Sequence, residues 1–244
     1  MKTIYHAADS RGVANYGWLN SHHTFSFGGY YDPERTNFGV LRVINDDTVA
    51  GGQGFGTHPH NDMEIISIPL EGDLAHRDSM GNGGVIRQGD IQVMSAGTGI
   101  RHSEMNANAD RAVKFLQIWV LTRKNGVEPR YQQIRISDHA TPNDFQQILS
   151  PTADDAGVWI HQDAWFSLAH FSDGTAKRYD IKRDGNGVYV FVIKGSAKIG
   201  DTVLGERDGL GVWDTDGFDV TAIGDSQILL MDVPMDVNAA TNQL

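Results

Sequence analysis

The chain of 244 residues carries 40% hydrophobic and 21% charged residues, a soluble globular composition long enough for one large domain or two of about 120 residues. A formal net charge of -11 argues against direct nucleic-acid binding, which needs clustered lysine and arginine, and the absence of cysteine excludes a disulfide framework, a thiolate nucleophile and a Cys-based zinc site. The N-terminal residues lack an apolar core of signal-peptide length and no run approaches the ~18 apolar residues of a membrane span, so a cytoplasmic protein with no membrane contact is expected.

Glycine is abundant, 28 in 244 or about 11% against a typical ~7%, and long helical periodicities are few. Both features point to β-strands joined by tight turns. Ile4 to Ala7 reads as a possible edge strand. The segment from Tyr16 to Tyr31 is rich in aromatics (Trp18, Phe25, Phe27, Tyr30) and carries His22-His23, for which a structural or surface role is expected because no second ligand lies at strand spacing. Leu41 to Asn45 alternates like a strand, and Asn45-Asp46-Asp47 is expected to close it.

Two clusters follow, Thr57-His58-Pro59-His60 and Arg101-His102-Ser103-Glu104. A strand turns alternate side chains to one face, so His58 and His60 can point together, as can His102 and Glu104. A single His-x-His in a soluble protein is usually two surface histidines. The second pair, and the glycine-rich strand-turn-strand pattern between the two, favour a common metal site of three imidazoles and one carboxylate. Such a set, without thiolate, suits iron, nickel, copper, manganese or zinc and leaves coordination positions open for chemistry.

Met63 to Glu71 reads as a strand in which Glu64, Ile66, Ile68 and Leu70 share the parity of His58 and His60, which predicts Glu64 inward beside the histidines. From residues alone, either Glu64 or Glu104 can be the carboxylate that binds the metal. A return strand runs from Leu74 to Ser79, where His76 is expected as a hydrogen-bonded core histidine. Ile91 to Ser95 is another strand. Lys114 to Leu121 is largely apolar on both faces and should be buried on both.

Gly52, His58, His60 and Glu64 reproduce the first cupin motif, Gly-x5-His-x-His-x3-Glu, with Gly72 one residue later than usual. Gly89, Gly97, Gly99, His102 and Asn106 resemble the second. More narrowly, Thr-His-Pro-His, Leu-Glu-Gly, His-Arg-Asp-Ser-Met-Gly, the run from Gln92 to Glu104 and the Thr-Phe-Ser-Phe of the opening segment resemble the pirin family over nearly the whole chain. The resemblance implies an all-β fold of two tandem cupin domains (double-stranded β-helix, or jelly-roll). It implies metal ligands at His58, His60, His102 and Glu104, leaving Glu64 beside the ligands rather than among them.

It also implies a pirin-like quercetin 2,3-dioxygenase, which opens a flavonol ring with O2 and releases carbon monoxide. One divalent transition metal is expected, iron first, with nickel, copper, manganese, cobalt and zinc as other candidates. The flavonol 3-hydroxyl would coordinate it as an oxyanion, and Glu104, or secondarily Glu64, would accept the hydroxyl proton. The alternative that the same resemblance offers is a metal-binding, redox-sensitive regulatory protein that binds protein partners without turnover. A monomer is expected.

Beyond the clusters, Arg130 to Ile136 is extended, Asn143 to Leu149 is the most helix-like piece, and Ser150 to Gly157 is a loop. The domain boundary falls between about 122 and 150, giving a metal-binding domain over 1–130 and a second over 131–244. The second half again alternates strands and turns every ~8–12 residues, which suggests a second sandwich or barrel. Gly195, Gly209 and Gly217 echo Gly72, Gly89 and Gly97. At those offsets His58, His60, Glu64, His102 and Glu104 become Ile181, Arg183, Gly187, Ala222 and Gly224, so the second domain should lack metal ligands. His161 and His170 read as structural. Asp236 to Leu244 should be a frayed tail.

Overall fold

A computed structural model describes residues 1–241, without the side chain of His139. Twelve strands make up the first part in sequence: β1 (Lys2–His6), β2 (Gly12–Asn15), β3 (Leu19–His23), β4 (Leu41–Val49), β5 (Gly54–His60), β6 (Met63–Glu71), β7 (Asp73–Asp78), β8 (Gly83–Arg87), β9 (Asp90–Ser95), β10 (Ile100–Asn106), β11 (Val113–Leu121) and β12 (Arg130–Arg135). Eight follow: β13 (Phe145–Ser150), β14 (Val158–Trp159), β15 (Trp165–Phe171), β16 (Ala176–Asp180), β17 (Asn186–Ile199), β18 (Thr202–Leu204), β19 (Gly209–Trp213) and β20 (Gly217–Pro234). The chain is all-β in two halves, and no described helix is long and apolar enough to cross a membrane.

In the first half a four-stranded sheet, β5-β10-β7-β8, faces a seven-stranded one, β12-β9-β6-β11-β4-β3-β2. The second half is built on one sheet that runs β1-β19-β17-β20-β15-β13-β14, with β16 and β18 paired to β20 and β17. The division drawn at residues 130 and 131 meets the start of β12, which pairs with β9 of the first half. β1, expected near an edge, lies at an edge of the other half, with Ile4 opposite Gly211.

The two halves share a core. Ile44, Ile66, Leu116 and Ile118 from the first pack with Phe166, Phe191, Leu229 and Met231 from the second, all fully or almost fully buried. β11 shows why both of its faces are apolar: Leu116, Ile118 and Val120 enter this shared core, while Phe115 packs with Leu19, Val49 and Leu74 inside the first half.

Three local expectations need correction. Asn45-Asp46-Asp47 does not end β4, which continues to Val49 because β3 and β11 hydrogen-bond to it on both sides. Asp46 tolerates its place on the opposite face by pairing with Arg11 and Arg207. Residues 143 to 149 are not helical: Asn143 takes a left-handed φ of 57°, and β13 then pairs with β15 and buries Ile148 and Leu149, so tertiary burial overrides a weak helical preference. The expected tail at 236–244 forms a short helix, α1 (Val237–Thr241), with 242–244 outside the described residues.

Candidate metal centre

The period of two along β5 and β10 places three imidazoles on one face. The strands are antiparallel neighbours with His58 directly opposite His102 and Ile100 opposite His60. Ring centroids lie 4.4 Å apart for His58 and His102, and 4.9 Å apart for both His58–His60 and His60–His102. One ring nitrogen from each falls within 4.8 Å of the others. Two nitrogens on a single ion at ~2.1 Å can be at most about 4.2 Å apart, so small side-chain rotations suffice for all three to reach one metal.

The donors are in the right state. Burial, with neighbouring imidazoles adding to it, pushes His102 down to about 3 and His60 down to about 4, so both are neutral with lone pairs available. His58 Nδ1 donates to the Gly56 carbonyl at 2.8 Å, which leaves Nε2 for a ligand. Both ring nitrogens of His102 are buried without a hydrogen-bond partner among the described residues. In the neutral ring one of the two carries a lone pair, and leaving it unmet in a buried site is costly unless a positive centre binds it.

Glu104 lies one step along β10 from His102 on the same face, but its carboxylate stands apart from the tight imidazole group. Ser67 donates to Oε1 at 3.0 Å, and Gln117 Nε2 donates to Oε1 and Oε2 at 3.0 and 3.1 Å. Trp119 Nε1 in turn donates to Gln117 Oε1 at 3.3 Å and so orients the amide. These partners are neutral, and a buried carboxylate held by neutral donors still favours a nearby cation.

Glu64 does not join them. Its side chain shares a face of β6 with Ile66 and Ile68, toward the core between the halves, and Ser95 donates to it at 2.6 Å. Burial pushes its carboxyl up to about 7 against the bonds from Ser95, His161 and Thr122. Contrary to the expected inward placement of Glu64, strand parity reverses at Asn61-Asp62, where Asp62 takes a φ of 45° and the chain passes from one sheet to the other. Odd-numbered residues of β6 therefore face the metal sheet, as Ser67 shows.

A cavity of about 200 Å³ opens before the imidazoles, with Leu19, Phe27, Phe55 and Trp119 as apolar walls. Trp119 meets His60 edge-on at 4.9 Å and Phe27 at 5.3 Å. Phe27 and Tyr30 form a small bridge near the mouth; Gly12 is required beneath it, since a Cβ there would come 2.2 Å from the Tyr30 ring. His76 is buried one strand over, bonded to Asp78 at 3.2 Å and 5.4 Å from His102 by ring centroids. It is thus both a hydrogen-bonded core residue and a neighbour of the site.

Several lining residues were not legible as such. His23 on β3 and Asn45 and Asp47 on β4 face the cavity, and burial pushes the Asp47 carboxyl up to about 7. The sequence signal for the last two is the alternation Val43, Asn45, Asp47, Val49, visible once the strand is extended. Gln117, alone among apolar neighbours in β11, was the other available clue.

Comparison with known proteins gives consistent matches. A model described as Pirin matches residues 6–120, and one described as quercetinase C-terminal cupin domain matches 147–233. A quercetin 2,3-dioxygenase of Escherichia coli is 44% identical over 93% of this chain and 96% of its own length, and a pirin-like protein of Caulobacter vibrioides is 37% identical over 92% and 96%. The crystal structure of a bacterial pirin from Escherichia coli in complex with nickel(II) superposes with a TM-score of 0.90 at 42% identity, covering 96% of this chain and 99% of that one.

Proposed function

The chain belongs to the pirin family, and on that premise we propose that it is a metal-dependent dioxygenase that opens a flavonol such as quercetin with O2 and releases carbon monoxide. One observation carries the reading: three imidazoles converge at the end of an aromatic-walled cavity, with a buried carboxylate beside them. His58, His60, His102 and Glu104 would hold the ion, with iron first among the candidates. When bound, a divalent metal supplies a Lewis acid that lowers the pKa of a substrate hydroxyl.

The chain's own residues do the rest. Phe27, Phe55 and Trp119 pack against an aromatic substrate and exclude water from it. Glu104, held by Ser67 and Gln117, accepts the hydroxyl proton, a general-base contribution of ~10²–10⁴-fold. Glu64, bonded to Ser95 on the far side of β6, takes no part. Metal binding is assigned to the first domain alone, and the second braces it through the shared core.

The test is oxygen uptake together with carbon monoxide release on adding quercetin to protein whose metal content has been measured. His58→Ala should lose both metal and turnover while keeping its β-sheet circular dichroism. A fully active His58→Ala protein refutes the assignment, and capture of a protein partner with no turnover favours the regulatory alternative.

A further inference from the structure

Across the cavity from the imidazoles lies a polar wall that the chemistry above leaves unused. β4 contributes Asn45 and Asp47 to the lining, and β3 contributes Ser21 and His23 directly opposite them in register. All four are at least nine-tenths buried. Asn45 Oδ1, Asp47 Oδ1 and His23 Nδ1 have no hydrogen-bond partner among the described residues, and Asp47's one side-chain bond comes from Ser21. Each unpartnered buried polar atom costs ~1–3 kcal/mol, so three in one wall mark a place where a ligand or ordered water supplies the missing partners.

The rest of the lining narrows what that ligand is. Leu19, Phe27, Phe55 and Trp119 are apolar, so the molecule must be largely apolar or aromatic along its middle. The Asn45 amide oxygen accepts, and the Asp47 carboxyl, raised by burial, accepts when ionised and can also donate when protonated, so the group that reaches them must be able both to donate and to accept. An anionic carboxylate or phosphate there would meet Glu104 nearby and a carboxyl already made harder to ionise by burial, so it is disfavoured. Neutral hydroxyls meet every condition.

We propose that Asn45 and Asp47 form a hydroxyl-binding subsite that selects aromatic substrates carrying a second hydroxyl beyond the one directed at the histidines. The proposal rests on the dioxygenase reading for the direction in which a substrate lies, and the two can fail separately. Asp47 then acts in specificity, and the strand that carries it is rigid because it is hydrogen-bonded on both sides.

Anaerobic titration of the nickel(II)-loaded full chain with quercetin and with 3-hydroxyflavone, which lacks the other hydroxyls, tests the idea through the flavonol absorbance shift. Quercetin should bind at least about tenfold more tightly than 3-hydroxyflavone, the fold-change expected from one unmet buried acceptor. Asp47→Ala should remove most of that preference and leave 3-hydroxyflavone affinity within about twofold, while Asp47→Asn, which keeps an acceptor oxygen, should restore part of it. Equal affinities in the unmodified protein, no binding of either flavonol, or a preference that survives both Asp47→Ala and Asn45→Ala overturns the subsite; the first two outcomes need no variant to fold. Preferential binding of quercetin without its consumption once O2 is admitted overturns the dioxygenase reading and leaves the subsite standing.

Discussion

The interiors of the two halves differ in kind although their scaffolds are similar. The first surrounds a cavity with His58, His60, Glu104, Gln117 and Asp47; the second is packed solid by residues such as Tyr179, Val190, Leu210, Phe218 and Leu230. Ala222, which stands where the glycine echo puts a counterpart of His102, is a buried member of that apolar core. A buried aliphatic side chain stabilises by ~1.5–3 kcal/mol, so the first half forgoes packing energy wherever it keeps a polar lining. What differs between them is the inward-facing side chains, and the shared core lets the well-packed half support the hollow one.

The strongest way to break this contrast is to move ligands between halves. His102→Ala should abolish metal binding and lower turnover by more than the ~10–100-fold typical of an outer partner, as read by elemental analysis and quercetin consumption. Ala222→His should create no metal site and should destabilise the protein by ~1–3 kcal/mol through overpacking. Metal uptake by that variant at a second site would undo the contrast.

If the shared core does brace the first half, Phe191→Ala should cost ~3–5 kcal/mol and lower the melting of both halves together in one calorimetric transition. Two separated transitions would show the halves to be independent.

A smaller effect is expected from Glu64, buried between the halves. Its carboxyl is raised in the fold from 4.5 to about 7, so the native state holds an extra proton in that window. The stability this contributes is full below about pH 4.5 and is lost as pH rises through about 7. Glu64→Gln should therefore flatten the fall of Tm between those pH values and, at pH 8, stabilise by on the order of 1–3 kcal/mol relative to the unaltered chain. An unchanged pH profile would mean that Arg130 and the hydrogen bonds offset the burial. Smallest of all, Lys2→Ala removes an exposed ion pair with Asp214 and should shift stability by no more than ~0.5 kcal/mol in urea titrations.

Much of the architecture was legible because period-two patterning is a direct report of strand geometry. His58, His60 and His102 could be placed on one face for that reason, and Lys114 to Leu121 could be read as buried on both sides. Glu64 could not, because one left-handed residue at Asp62 inverts parity between two strands that share an unbroken pattern on paper. Asn45 and Asp47 resemble a turn by composition, and only their hydrogen-bonded neighbours on both sides hold them extended. The strand at Phe145–Ser150 depends in the same way on a partner far along the chain. The edge strand at the N-terminus was visible, but nothing local says which half receives it.

That last feature sets a timetable. Tyr5 bonds to Asp208 across 203 residues, so at a synthesis rate of ~5–20 residues per second the opening strand waits about 10–40 s for the edge it will join. Until β19 leaves the ribosome, a short and largely exposed ribbon has no place to dock. The ribbon is thus latched only after the 203 residues that separate Tyr5 from Asp208 have been made.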